Sequence, residues 1–110
     1  MRPLRKEEKD LIAFLLSDKP GKEHLIEQLP YSTVEEMNDG GMGSLKFLYN
    51  DNKKRRMGCE IATISLKDID DTFLSIALNL DEDENLFELD VWKVDFSPLK
   101  QFPLPPYKGL

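Results

Sequence analysis

Residues 86–99, LFELDVWKVDFSPL, constrain what this chain can fold into more than any other stretch. Side chains alternate across an extended strand. Phe87, Leu89 and Val91 therefore fall on one side, and Trp92, Val94 and Phe96 on the other. A strand apolar on both sides is either buried on both or bulged near Val91 and Trp92. Either arrangement places it centrally. Trp92, the only tryptophan, is then a buried side chain whose truncation would cost about 3–5 kcal/mol. Pro98 closes the strand, because proline has no N–H to give a ladder.

The remaining segments are arranged around this strand. Leu4, Leu11, Ile12, Phe14, Leu15 and Leu16 recur at helical spacing and predict a first helix that stops at Ser17–Gly21. Leu25, Ile26 and Leu29 predict a second, short helix over 22–28, ended by Pro30. Strands follow at 32–37, 45–49, 59–66 and 73–80, separated by turn-forming residues. Asn38-Asp39-Gly40-Gly41 is turn chemistry, so a strand is favoured over a capping box at Ser32 and Glu35. Because every connection is short, the predicted fold is α+β: two N-terminal helices packed on a five-stranded antiparallel meander sheet. One domain spans 1–110, with a helical hairpin at 1–30, a sheet at 31–97 and an extended Pro-rich tail at 98–110. Phe102, Leu104 and Tyr107 in that tail are expected to cover the Trp92, Val94 and Phe96 side.

Charge is spread unevenly along the chain. The net charge is −6, yet residues 68–95 alone hold ten acidic residues against Lys93. Such a surface disfavours nucleic acid, which is bound largely through Lys and Arg on phosphates. No apolar run approaches the length needed to cross a bilayer. The polar N-terminus lacks the apolar centre of a secretory signal, and Cys59 is the only cysteine, so a reducing cytoplasm is the expected compartment. In a meander, the basic loop Lys53–Arg56 and the acidic turn Asp81–Glu84 share one end of the sheet, about 10 Å apart. The net acidic patch then falls at the other end, around Asp39, Asp68, Asp70 and Asp71, opposed only by Lys67.

No set of residues predicts catalysis, a metal or a cofactor. Asp39-Gly40-Gly41-Met42-Gly43-Ser44 superficially resembles a phosphate-cradling loop, but a strand follows it and no Gly-Lys-Ser is present; a hairpin turn is the expected reading. Glu88 and Asp90 project from one side of a strand about 6.8 Å apart, with Glu60 a possible neighbour. They form the alternative, an acid/base site of a small enzyme. His24 reads as a surface residue and Cys59 as a small core residue. One His and one Cys exclude a standard zinc cluster, and the acidic turn at 81–85 lacks the glycine and glutamate of a calcium loop. Pro103–Pro106 contains a PxxP pattern, read as a strap on the chain's own sheet.

Asn38–Leu45, Glu88–Leu99 and the start Arg2-Pro3-Leu4 resemble a family of small bacterial proteins described as a domain of unknown function. The resemblance implies a bacterial cytoplasmic protein and brings no catalytic residues with it. Small acidic α+β proteins of this kind also resemble immunity proteins that neutralise toxins. The expected role is thus a non-catalytic acidic binding protein, an immunity-like partner of a basic protein, contacting it through Asp39, Asp68, Asp70 and Asp71. A self-associating structural protein is a further reading, and the oligomeric state is left open.

Overall fold

The structure is a computed structural model that describes residues 1–109, so the last residue of the predicted tail lies outside the described part. The described chain runs β1 (Arg2–Pro3), α1 (Lys6–Leu16), α2 (Glu23–Gln28), a 3-10 turn (Leu29–Tyr31), β2 (Thr33–Glu36), β3 (Leu45–Leu48), β4 (Met57–Lys67), β5 (Phe73–Asp81) and β6 (Leu86–Lys93). Helix α1 forms where its stripe predicts, and Leu11, Ile12, Leu15 and Leu16 are all buried. Its start is fastened by Glu8, which accepts the Arg5 N–H at 2.8 Å and takes both guanidinium nitrogens of Arg2 at 2.8 Å. Burial alone would raise the Glu8 pKa, but these donors outweigh it and hold the group below its ordinary value. Phe14 lies at the rim of the stripe, exposed on one side and packed on Tyr107.

All strand pairs are antiparallel, but the sheet is not a five-stranded meander. Six strands are ordered β1-β2-β3-β6-β5-β4. Strand β3 pairs with β6, while β4, β5 and β6 follow one another as hairpins, a Greek-key arrangement. The physical reason lies in burial. In a meander β6 would be an edge strand, yet its Leu86, Leu89 and Val91 are at most 2% exposed. Placing β5 and β6 centrally buries Leu74, Ile76, Leu78, Leu80, Leu86, Leu89 and Val91 and leaves β4, most of it exposed, at the edge. Cys59 is consequently exposed on that edge, not a core residue.

The second correction concerns the faces. On β6, Leu89, Val91 and Lys93 point toward the helices, and Glu88, Asp90 and Trp92 point to the open face. The irregular pairing lies at Phe87, where Asn79 opposes Glu88 and Leu80 opposes Leu86, not at Val91. Trp92 is 46% exposed, and β6 ends at Lys93, before Val94 and Phe96. The tail packs elsewhere than expected. Tyr107 meets Phe14, a cleft of about 320 Å³ lies between Leu66 and the tail's Phe102, Leu104 and Tyr107, and Leu99 and Phe102 join the helix-side core. The strap therefore closes the helix layer and leaves the Trp92 face uncovered.

Candidate functional site

The end of the sheet carrying the β4–β5 turn is organised by Lys93. Alternation sends this lysine inward with Leu89 and Val91, and it is fully buried. Its ammonium donates to Asp68 Oδ2 at 2.8 Å, Asp70 Oδ2 at 2.7 Å and the Pro98 carbonyl at 3.2 Å, which uses all three N–H groups. Burial pulls the Lys93 pKa down, but the two aspartates outweigh it and hold it above its ordinary value. Asp68 also accepts N–H groups from Ile69, Lys100 and Gln101, so it anchors the start of the tail. Burial works against its charge, and these donors win, keeping its pKa low. The hydrogen bond from Lys93 brings Asp70 down to about 2.

The four aspartates expected to meet a partner thus share one end of the sheet but not one role. Asp68 is buried and fully used, and Asp70 is partly exposed while holding Lys93. Asp71 stands at the exposed tip with a left-handed φ of 69° and an ion pair to Lys67 at 3.3 Å. Asp39 is spent locally, accepting the Met42 and Ser44 N–H groups at 3.0 Å and shaping the β2–β3 turn. The charge opposing this patch includes Lys93 as well as Lys67, which charge counting along the chain did not assign to it. At the other end, Arg55 bonds Asp81 at 2.8 Å and Asp51 at 2.7 Å, Lys53 pairs with Asp83, and Arg55 stacks 3.7 Å over Tyr49. The basic loop and the acidic turn do share that end, brought there by the β3–β4 crossover.

The two sequence segments that carry the family resemblance meet in space. Gly41 and Gly43 adopt φ values of 82° and 100°, open to glycine at no steric cost. A Cβ at Gly41 would lie 3.4 Å from Pro98, and one at Gly43 would lie 3.0 Å from Leu99. The Leu99 N–H donates to the Gly41 carbonyl at 2.9 Å. Just before β3, the Ser44 hydroxyl stands in for a ladder residue: it accepts the Val91 N–H at 2.9 Å and donates to the Val91 carbonyl at 3.2 Å. The glycines form the predicted turn, and their smallness lets the 98–99 segment dock on it.

On the open face, Glu88 and Asp90 are neighbours. Glu60 is two strands from Glu88, with Asn79 between them in register. Asn79 donates to Asp90 at 2.7 Å while its own carbonyl oxygen, buried, has no partner. Burial, then the Asp90 charge, raises the Glu88 pKa; burial, then the Asp39 charge, raises that of Asp90 against the Asn79 hydrogen bond. The clefts beside the tail and beside Tyr49 contain none of these carboxylates; Glu60 alone lines a groove of about 240 Å³, shared with Lys19 and Ile61–Thr63, which holds neither Glu88 nor Asp90. Among the described residues no three His, Cys, Asp or Glu side chains gather as metal ligands. No helix is long and apolar enough to cross a membrane.

Next to the acidic end lies a feature that sequence reasoning assigned to the core. Phe73, Trp92, Val94 and Phe96 are 50%, 46%, 41% and 68% exposed. Trp92 and Phe96 meet edge to face with centroids 6.1 Å apart, and Phe96 holds a φ of 60°, costly for an aromatic residue. Ser75 lies opposite Trp92, so Phe73 is its diagonal neighbour. Asp90 lies two residues from Trp92 on the same face, and Asp95 follows it in the turn. The signal that could have found this patch is Lys93: if it is inward, Trp92 must be outward.

No curated protein and no solved structure matches the chain. A family model described as a domain of unknown function (DUF6984) matches residues 1–103, and the chain belongs to that family.

Proposed function

We propose that this chain is a non-catalytic binding protein that engages a basic protein partner through its open sheet face. The observation that carries this reading is the cluster of exposed Phe73, Trp92, Val94 and Phe96, bordered by Asp70, Asp71, Asp90 and Asp95. Exposed aromatic side chains are favoured anchors at protein interfaces, and Trp and Phe faces attract Lys and Arg. The acidic border supplies long-range attraction and selects the sign of the partner. Asp68 and Asp39 act here through position, holding the tail and the β2–β3 turn, while Asp70 and Asp71 face the partner. An immunity-like role, occupying the basic surface of another protein, fits this chemistry. The free, exposed Cys59 suits a reducing, cytoplasmic setting.

The acid/base alternative has a point in its favour, since Glu88 and Asp90 titrate high. Yet both lie on an open face, where little excludes water from a reacting group. Binding is the better reading. The test is affinity capture from the source cell at low salt, with the wild-type chain, W92A/F96A and D71K/D95K, which spares the Asp70 partner of buried Lys93, followed by identification of the retained proteins. The expected result is a basic protein held by the wild type, lost from both variants, and retained by D83K/E84K. Retention of no basic protein, or equal retention by all forms, overturns the proposal.

A further inference from the structure

Among the described residues strand β4 is the outer strand of the sheet and is ladder-paired only with β5, while the tail's Gly109 comes near the Ile64 side chain, where an added Cβ would lie 3.9 Å from Cγ1. It is the longest strand, 11 residues, and most of it is exposed. At the opposite edge the sheet is closed by β1, two residues long. Natural sheets keep exposed edges short, charged or bulged, because an unpaired row of N–H and C=O groups invites another strand. Strand β4 meets this demand over only part of its length. Its pairing with β5 shifts between Met57 and Cys59 and again between Glu60 and Ala62. From Ala62 to Lys67 it runs regularly opposite Phe73–Leu78. That regular segment, ATISLK, carries β-branched Thr63 and Ile64 and no proline.

The geometry points to a second copy of this chain as the strand that completes this edge, in an antiparallel pair about a two-fold axis at Ile64. Antiparallel pairing about a two-fold axis makes each residue meet its mirror position, and directly opposed residues must share a face. Ala62, Ile64 and Leu66 oppose Leu78, Ile76 and Leu74 of β5 and belong to the helix side; Thr63, Ser65 and Lys67 belong to the open face. An axis at Ile64 sets Thr63 against Ser65 and Ala62 against Leu66. The residue gained at the bulge, Ile61, then drops out of the count, and Glu60 faces Lys67 of the other copy. Two such pairs form, one at each end of the shared ladder. Moving the axis one residue to Thr63 sets Glu60 against Ser65, and moving it to Ser65 sets Thr63 against Lys67. Only the Ile64 register opposes acid to base.

The charge around the pair agrees with it. Glu60 makes no ion pair among the described residues, and Lys67 pairs with exposed Asp71 at 3.3 Å and lies 5.5 Å over the Phe73 ring. Beyond Glu60 the chain leads back to exposed Arg56, which also has no ion pair among the described residues. Beyond Lys67 it leads into the Asp70–Asp71 turn. The antiparallel pair carries Arg56 of each copy toward that turn of the other. The axis is normal to the sheet, so both helix layers stay on one side. The half-exposed Phe14 and the groove of about 280 Å³ between α1 and Ala62–Ile64 then border the seam. This pairing is argued from the strand edge and not from the open face, and it meets the partner reading above only at the Asp70–Asp71 turn.

Light scattering of the wild-type chain and three variants tests it, at low salt and at protein concentrations up to several hundred micromolar. The expected wild-type result is a dimer of twice the 12.7 kDa chain mass. E60K sets lysine against lysine and K67E sets glutamate against glutamate, so each weakens the dimer about tenfold or more. The double variant E60K/K67E restores opposite charges across the axis and recovers wild-type association. Both substitution sites, Glu60 and Lys67, are exposed, so each form folds. A monomeric wild type throughout, a dimer indifferent to the single reversals, or a double variant as weak as its parents overturns the inference.

Discussion

Lys93 shows how one residue can invert the reading of its neighbours. An ammonium removed from water costs several kcal/mol unless it is paired and hydrogen-bonded. Here Asp68, Asp70 and the Pro98 carbonyl take its three protons, so the inward position can hold a lysine while Trp92 turns out. Removing one acid leaves buried charge uncompensated. Asp68→Ala should therefore cost about 3–5 kcal/mol in urea unfolding, whereas Asp71→Ala, at an exposed tip, should change stability by under about 0.5 kcal/mol. Equal effects would show that Lys93 does not depend on Asp68. Trp92→Ala should cost only about 1–2 kcal/mol, because nearly half of the side chain is already in water. A loss of 3–5 kcal/mol would return Trp92 to the core.

Among the elements, the β2–β3 turn and the segment after β6 act as one unit. The turn is shaped by Asp39 and by glycines with positive φ, and residues 98–99 rest on it through Pro98, Leu99 and the Gly41 carbonyl. Gly43→Ala imposes both a strained φ and a contact of 3.0 Å with Leu99. It should destabilise the protein by about 1–2 kcal/mol and loosen the following tail, so that limited proteolysis cuts after residue 99 sooner than in the wild type. Gly21→Ala has a similar φ of 77° but open space around its Cβ. It should leave the tail protected, which separates backbone strain from loss of the docking contact.

Across the whole molecule, carboxylates shifted in opposite directions shape the response to pH. Glu8, Asp68, Asp70 and Asp81 titrate below their ordinary values. Their stabilisation is complete above the ordinary carboxylate range and is lost as pH falls through the folded values, that of Asp70 near 2. Glu88 and Asp90 titrate above theirs, so they favour the folded state at low pH, and that contribution is lost as pH rises through their folded values. Thermal unfolding midpoints should pass through a shallow maximum near about pH 5 and fall steeply below about pH 4. A midpoint that keeps rising down to about pH 3 would contradict the paired aspartates. Glu88→Gln with Asp90→Asn should flatten the decline above the maximum and leave the acid limb in place.

The stripe from Leu11 to Leu16, the alternation in the strands and the Asn38–Ser44 turn were legible because each depends on residues a few positions apart. Local periodicity sorts side chains into two sets, and it did so correctly for Leu74, Ile76, Leu78 and Leu80, all nearly or fully buried. The proximity of Lys53 and Arg55 to the acidic turn was also legible, since the ends of strands follow from their order along the chain. Periodicity does not say which set is covered, nor which strands are neighbours. Those choices rest on contacts between distant residues: Lys93 with Asp68 and Asp70, 25 and 23 positions away, and Ser44 with Val91, 47 positions away. The sequence alone therefore determined the two helices, five of the six strands and the glycine turn, and missed the two-residue strand Arg2–Pro3. Only the tertiary structure decided that β6 lies between β3 and β5, that Lys93 is inside and that Trp92 is outside. The reason is that burying the leucine-rich faces of β5 and β6 together, and pairing one lysine with two distant acids, are gains that no local segment can realise by itself.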